Sequence, residues 1–226
     1  MTVLPLVERL VGNSDLRGEP GVCYMLRAGQ TSVLFDCGLA RGRGPTVLEA
    51  NAAALDVSAA EVSAVVISHL HPDHVGGIRA QLRNSFAVPD ALRLPYAVPA
   101  FVPVDMTHST ADVTVVSAPQ VVAAGVAVLP PLNRMLFWLG RVAERALVVN
   151  VRGFGLVLVS GCGHPRIEGT MAACEQALDL PIQAVVGGLH LPVHPLGTRC
   201  YPRRCSAVRT GLGSRSAKPT PAPPSR

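Results

Sequence analysis

The segment Ser68-His69-Leu70-His71-Pro72-Asp73-His74 decides the reading of this chain. It sets four ligand-competent side chains within six residues, after the run Ala64-Val65-Val66-Ile67 and before Val75-Gly76-Gly77-Ile78. A short run that is apolar at every position reads as a strand buried on both faces. The backbone turns where such a strand ends, so residues two apart in the loop converge. His69 and His71 can then present imidazoles to one metal ion. Asp73 and His74, expected on the first turn of the following helix, can reach a second. Two metals roughly 3.5 to 4 Å apart can share a water and generate a hydroxide nucleophile near neutral pH. Nitrogen and oxygen donors suit zinc best, with manganese or iron also compatible. A solvated turn would account for a single histidine. Three histidines and an aspartate at this spacing point to a metal.

Working outward, Gly21 to Leu26 and Ser32 to Phe35 are short apolar runs around Ala28-Gly29-Gln30, a hairpin pattern. Thr46 to Leu55 is rich in alanine and leucine and suits a helix, and Ser58 or Ser63 is placed to cap the next element. Residues 87 to 135 are rich in Pro, Val and Ala. Strands are expected there at Thr114 to Ser117 and Val126 to Leu129, with loops dominating and carrying the substrate-facing variation. Ala146 to Val151 and Gly155 to Ser160 form a second hairpin around Arg152-Gly153. A helix from about Arg166 to Leu178 and a strand at Gln183 to Val186 complete the pattern. Periodicity by itself supports an α/β fold.

The chain has 226 residues, 49% of them hydrophobic and 15% charged, enough to build one domain with a sizeable core. Its +5 net charge is unevenly placed. Residues 197–226 hold seven basic side chains and no acid, and without them the remainder carries 13 basic against 15 acidic residues. The expected division is a domain over 1–195 and a basic Pro/Arg/Ser-rich tail over 196–226, either disordered or the product of a reading-frame slip. The domain lacks large basic clusters, so a small-molecule substrate is expected rather than nucleic acid or membrane. No apolar run is long enough to span a bilayer, and Met1-Thr2-Val3-Leu4-Pro5 lacks the pattern of a signal peptide; a cytoplasmic location is expected. None of the six cysteines forms a Cys-x-x-Cys pair, which argues against a zinc ribbon. Oligomeric state is not written in the sequence.

Ser-His-x-His-x-Asp-His followed by Gly-Gly resembles the signature of the metallo-β-lactamase superfamily. Three further segments resemble its 7,8-dihydropterin-6-methyl-4-(β-D-ribofuranosyl)-aminobenzene-5′-phosphate synthase-like branch. They are Leu34-Phe35-Asp36-Cys37-Gly38, Gly161-Cys162-Gly163-His164-Pro165 and Val186-Gly187-Gly188-Leu189-His190-Leu191. The resemblance covers roughly residues 20 to 192. It implies a four-layer αβ/βα sandwich, and members of this branch continue past the Gly-Gly-x-His segment to a further histidine motif. Here the Pro/Arg tail comes instead, so the resemblance implies a sandwich incomplete at its C-terminus.

The resemblance also implies site residues. In most of the superfamily a strand ending near Ser160 delivers an aspartate that bridges two metals. This chain has none there, so Cys162 or His164 takes the role or the bridge is absent; the branch pattern favours His164 as ligand. His190 is read as a ligand or acid/base group, the alternative being a hydrogen bond to a ligand or to substrate. Asp36 resembles the residue that hydrogen-bonds the metal-binding loop, the alternative being an ordinary turn aspartate. His108 is either a further ligand or substrate contact, or an exposed loop histidine. The expected metal set is therefore His69, His71, Asp73, His74, His164 and His190, with Cys162 and His108 as further candidates; Asp73 and His190 are also expected to act in catalysis. The implied function is a hydrolase using a metal-bound hydroxide on an ester, lactone or phosphoester. An iron-dependent oxidoreductase on the same scaffold and an inactive, truncated member are the alternatives.

Overall fold

A computed structural model of the chain describes residues 1–40, 44–137 and 140–189. Six strands make its first sheet, hydrogen-bonded in chain order: β1 (Thr2–Val7), β2 (Cys23–Ala28), β3 (Thr31–Phe35), β4 (Ala64–Val66), β5 (Pro99–Val102) and β6 (Asp112–Val115). The expected hairpin is β2–β3, with Ala28 opposite Thr31. From β3 to β6 the pairing is parallel, so these strands deliver their carboxyl ends to one edge. Helix α1 (Val47–Ala54) starts where the sequence predicts: Thr46 Oγ1 accepts the Glu49 N–H and the Glu49 carboxylate accepts the Thr46 N–H. Ser58 caps a short 3₁₀ turn.

A second sheet joins β7 (Gln120–Ala123), β8 (Val126–Val128), β11 (Ala146–Val151), β12 (Gly155–Ser160) and β13 (Ile182–Gly187) in the order β13-β12-β11-β8-β7. A two-stranded ribbon, β9 (Leu132–Leu136) with β10 (Gly140–Glu144), stands apart from both sheets. Helix α3 (Ile167–Leu178) crosses from β12 to β13, whose pairing is parallel.

Side-chain alternation builds the four layers. Tyr24, Leu26, Val33, Phe35, Ala64 and Val66 of the first sheet pack against Val126, Val128, Leu147, Val149 and Val159 of the second. One residue along each strand, Met25, Leu34 and Val65 turn the other way, onto Leu48 and Ala52 of α1 and Ala80 of α2 (Ile78–Leu82). On the far side Ala146, Val148, Leu156 and Leu158 meet Ile167 and Cys174 of α3. Helix, sheet, sheet, helix is the αβ/βα sandwich that the motifs implied. Strands buried on both faces need apolar residues at every position, which is why β4 and β12 read as continuous hydrophobic runs.

The structure corrects two local expectations. Asp73 and His74 lie in a turn before α2, which begins only at Ile78. Residues 87–135 hold more strands than the two expected, since β5 to β8 and most of β9 lie there, although loop still makes up the larger share as expected. The sequence from residue 190 onward, with its expected tail and C-terminal incompleteness, lies outside the described residues. Among the described residues no helix is long and apolar enough to cross a membrane.

Candidate metal centre

The carboxyl ends of β3, β4 and β12 meet where the two sheets face each other. Asp36 follows β3 with φ of 61°, a left-handed conformation that aspartate tolerates better than most residues. Its Oδ1 accepts the Ser68 N–H at 2.7 Å, tying the ends of β3 and β4 together. Ser68 O in turn accepts the Arg145 N–H at 3.0 Å, linking this loop to β11's leading edge. Gly161 passes so close that a Cβ there would lie 2.3 Å from Ser68 Oγ.

A chain of hydrogen bonds sets the imidazole tautomers. Ser68 Oγ–H donates to Asp36 Oδ2 at 2.6 Å, and His74 Nδ1–H donates to the same oxygen at 2.6 Å. The Ser68 oxygen lies 2.9 Å from His69 Nδ1 and accepts its proton. Both histidines thereby carry a proton on Nδ1, which turns each Nε2 inward as the atom available to a metal. Asp36, Ser68, His69 and His74 are all fully buried. Burial alone would lower the His74 pKa. The Asp36 carboxylate and the Cys162 contact outweigh it and hold the value well above 6.5.

The donors converge in two overlapping groups. His71 Nδ1 lies 3.0 Å from His69 Nε2 and 3.2 Å from His164 Nε2. Ligands about 2.0 to 2.1 Å from a tetrahedral zinc stand about 3.3 Å apart, so the spacing of these nitrogens matches a metal position. In the second group His74 Nε2 is 3.0 Å from Cys162 Sγ and 3.9 Å from Asp73 Oδ2. Ligand atoms of His69, Cys162 and His164 all lie within 4.8 Å of one another. Nitrogen, thiolate and carboxylate donors at these separations fit zinc-type divalent ions.

The loop carrying Cys162 and His164 is held from the ribbon. Glu144, buried at the end of β10, accepts the N–H groups of Cys162, Gly163 and His164, each at 2.8 Å. Arg134 Nη1 on β9 donates to the His164 carbonyl at 2.8 Å. Burial pushes the Glu144 carboxyl upward in pKa, and the three amide donors pull it back. Burial likewise raises the Cys162 thiol, against the His74 contact. Gly187, at φ 129°, admits no side chain, because a Cβ would fall 1.9 Å from Ser160 O.

His69, His71, Asp73, His74, His164 and Cys162 are thus brought together, and Asp36 supports the loop. His108 is not in the cluster. Its ring stacks on Phe86 at 4.5 Å and its Nδ1 accepts the N–H groups of Thr110 and Ala111. His190 lies outside the described residues. Sequence reasoning missed Glu144, Arg134 and the relay role of Ser68. A charged residue ending an amphipathic ribbon carries no pattern that separates it from a solvated one. Beside His71 opens a cavity of about 640 Å³ whose opposite wall is the β9–β10 ribbon.

The sequence matches the family model of the metallo-beta-lactamase superfamily over residues 16–160, more than half of the chain. Among solved structures it is similar to Tm1679, a metal-dependent hydrolase of the beta-lactamase superfamily. The identity is 22% and the TM-score 0.55, over 83% of this chain and 76% of that one. It is also similar to a quorum-quenching N-acyl homoserine lactone lactonase, with 14% identity, TM-score 0.48 and coverage of 82% and 90%. A third is the metallo-beta-lactamase fold protein YhfI from Bacillus subtilis, with 18% identity, TM-score 0.42 and coverage of 71% and 62%. At these identities the likeness is one of fold. No curated protein matches the chain in sequence.

Proposed function

Because the chain belongs to the metallo-β-lactamase superfamily, we propose that it is a metal-dependent hydrolase acting on an ester, lactone or phosphoester of a small molecule. The convergence of His69 Nε2, His71 Nδ1 and His164 Nε2 carries this reading. His69, His71 and His164 would hold one divalent ion, and Asp73, His74 and Cys162 a second, with zinc the best match to the donor set. Bound there, the metals supply Lewis acidity and a water of lowered pKa.

The chain's own residues prepare that chemistry. Asp36 and Ser68 fix the tautomers of His74 and His69. Glu144 and Arg134 fix the loop that delivers Cys162 and His164. The cavity beside His71, walled by Leu70, Pro103, Val104 and Pro131, orients substrate and limits bulk water. His190 is assigned to ligation or to proton transfer to the leaving group. The resemblance of Gly187-Gly188-Leu189-His190 to the branch motif supports that assignment. The motifs around Asp36, Cys162 and Gly188 support a place beside the dihydropterin synthase-like branch. The four described free thiols suit a reducing compartment such as the cytoplasm.

The test is metal content by mass spectrometry for wild type, His71→Ala and His164→Ala, beside turnover of 4-nitrophenyl acetate, a γ-lactone and bis(4-nitrophenyl) phosphate. About two metals per wild-type chain are expected, fewer in both variants, with chelator-sensitive hydrolysis. Unchanged metal in both variants would sink the site. A metal-replete wild type that cleaves none of the three would sink the hydrolase.

A further inference from the structure

The cavity beside His71 has a strongly one-sided charge. Its lining side chains include one permanent cation, Arg141, and no carboxylate. Arg141 lies on β10 directly across from Met135, and Ala143 across from Asn133, so Asn133, Arg141 and Ala143 share one face of the ribbon. The opposite face carries Arg134 and Glu144, which hold the ligand loop. The ribbon thus grips the metal-binding loop with one face and walls the cavity mainly with the other, Val142 of the gripping face also reaching the cavity. Arg141 Nε donates to Asn133 Oδ1 at 3.0 Å, which fixes the plane of the guanidinium and leaves both Nη groups available. Among the described residues Arg141 has no acidic partner, whereas Arg27 pairs with Glu61.

We propose that Arg141 recognises a carboxylate on the substrate, so that the preferred substrate is a small monoanionic ester or lactone with its acid group remote from the bond that is cut. A planar guanidinium matches a carboxylate through two parallel N–H···O bonds. One cation balances one negative charge, and the other lining side chains add no second permanent cation: Leu70, Pro103, Val104, Pro131, Val142 and Ala143 are apolar, Gln81 and Asn133 are neutral, and His71 belongs to the candidate metal centre. The volume of about 640 Å³ lies within the range of small-molecule sites. This inference rests on the hydrolase reading for the reaction, but the recognition step stands on the ribbon geometry.

Two measurements on the metal-loaded full chain test it. The first is kcat/KM for 4-nitrophenyl hydrogen succinate relative to neutral 4-nitrophenyl butyrate, in wild type, Arg141→Ala and Arg141→Lys. Arg141→Ala should lower the preference for the anionic ester by about ten- to a hundredfold, and Arg141→Lys should keep part of it. An unchanged preference ratio overturns the proposal. The second follows the arginine Nε–H resonances while monomethyl succinate is added. One resonance, absent from Arg141→Ala, should move and saturate. If wild type cleaves neither ester, the hydrolase reading fails while this resonance still decides the anion site. No saturating shift overturns it, and tighter binding of inorganic phosphate than of monomethyl succinate at Arg141 overturns the carboxylate assignment.

Discussion

Glu144 Oε2 accepts the backbone N–H of His164 at 2.8 Å, while Oε1 of the same carboxylate accepts those of Cys162 and Gly163. One side chain therefore sets the path of the loop that brings two candidate ligands to the site. It does so from the ribbon, outside both sheets.

Replacing Glu144 with Ala leaves three buried amides without acceptors. Metal affinity should fall by about ten- to a hundredfold, as it does when a group orienting metal ligands is removed. Glu144→Gln keeps one acceptor oxygen and should fall between the two. Competition with a chromophoric chelator measures the affinity, and thermal melting reports stability alongside. A variant that melts early yet binds metal as wild type does would show that the loop path does not depend on Glu144.

Asp36 and His74 predict a pH dependence for the chelator-stripped chain. The carboxylate holds the His74 pKa well above its ordinary 6.5, so the folded state binds a proton that the unfolded chain releases earlier. The stabilisation is complete below 6.5 and disappears as pH rises through the elevated folded value. Melting temperature of the stripped protein should therefore decline on the alkaline side. In His74→Ala this part of the decline should be gone; an identical decline in that variant would refute the assignment.

How legible the site was depends on sequence distance. His69, His71, Asp73 and His74 share one loop after a buried strand, so local spacing alone groups them. Cys162 meets His74 across 88 residues, and only the packing of one sheet on the other brings them to 3.0 Å. The fold shows the same divide. β4 and β12 read as strands because both faces are buried. β9 and β10 are half-exposed, with Asn, Arg and Gly among their few residues, so alternation in them is weak. Glu144 was illegible for that reason. His108 could be read from sequence as either a ligand or substrate contact or a loop histidine, and only the fold, which lays its ring on Phe86, separates the two.

Gly161 is fixed by proximity rather than by a special backbone angle. A methyl group there would press to 2.3 Å from Ser68 Oγ and 3.3 Å from Asp36 Oδ2. Gly161→Ala should break the relay that orients His69 and His74, destabilising the fold by about 1 to 3 kcal/mol and depleting metal. Urea unfolding and metal analysis on the same preparation would check both. Full metal occupancy in Gly161→Ala would mean that the relay is dispensable.

Arg145 offers a test in the opposite direction. It is almost wholly buried, its Nη2 donates to the Val102 carbonyl and to Val116 O at 3.4 Å, and its Nε and Nη1 have no hydrogen-bond partner among the described residues. Burial pulls its pKa down, opposed by the charge of Asp36. The desolvation of a guanidinium with two idle donors is costly, and a linear apolar side chain of similar length removes that cost while filling the space. Arg145→Met should therefore leave stability unchanged or raise it by about 1 kcal/mol or more. Metal content should be retained, because the Ser68 carbonyl is held by the Arg145 backbone N–H and not by its side chain. Denaturant unfolding of the two proteins decides the matter. A loss of several kcal/mol would show that the cation does structural work between the sheets by balancing Asp36.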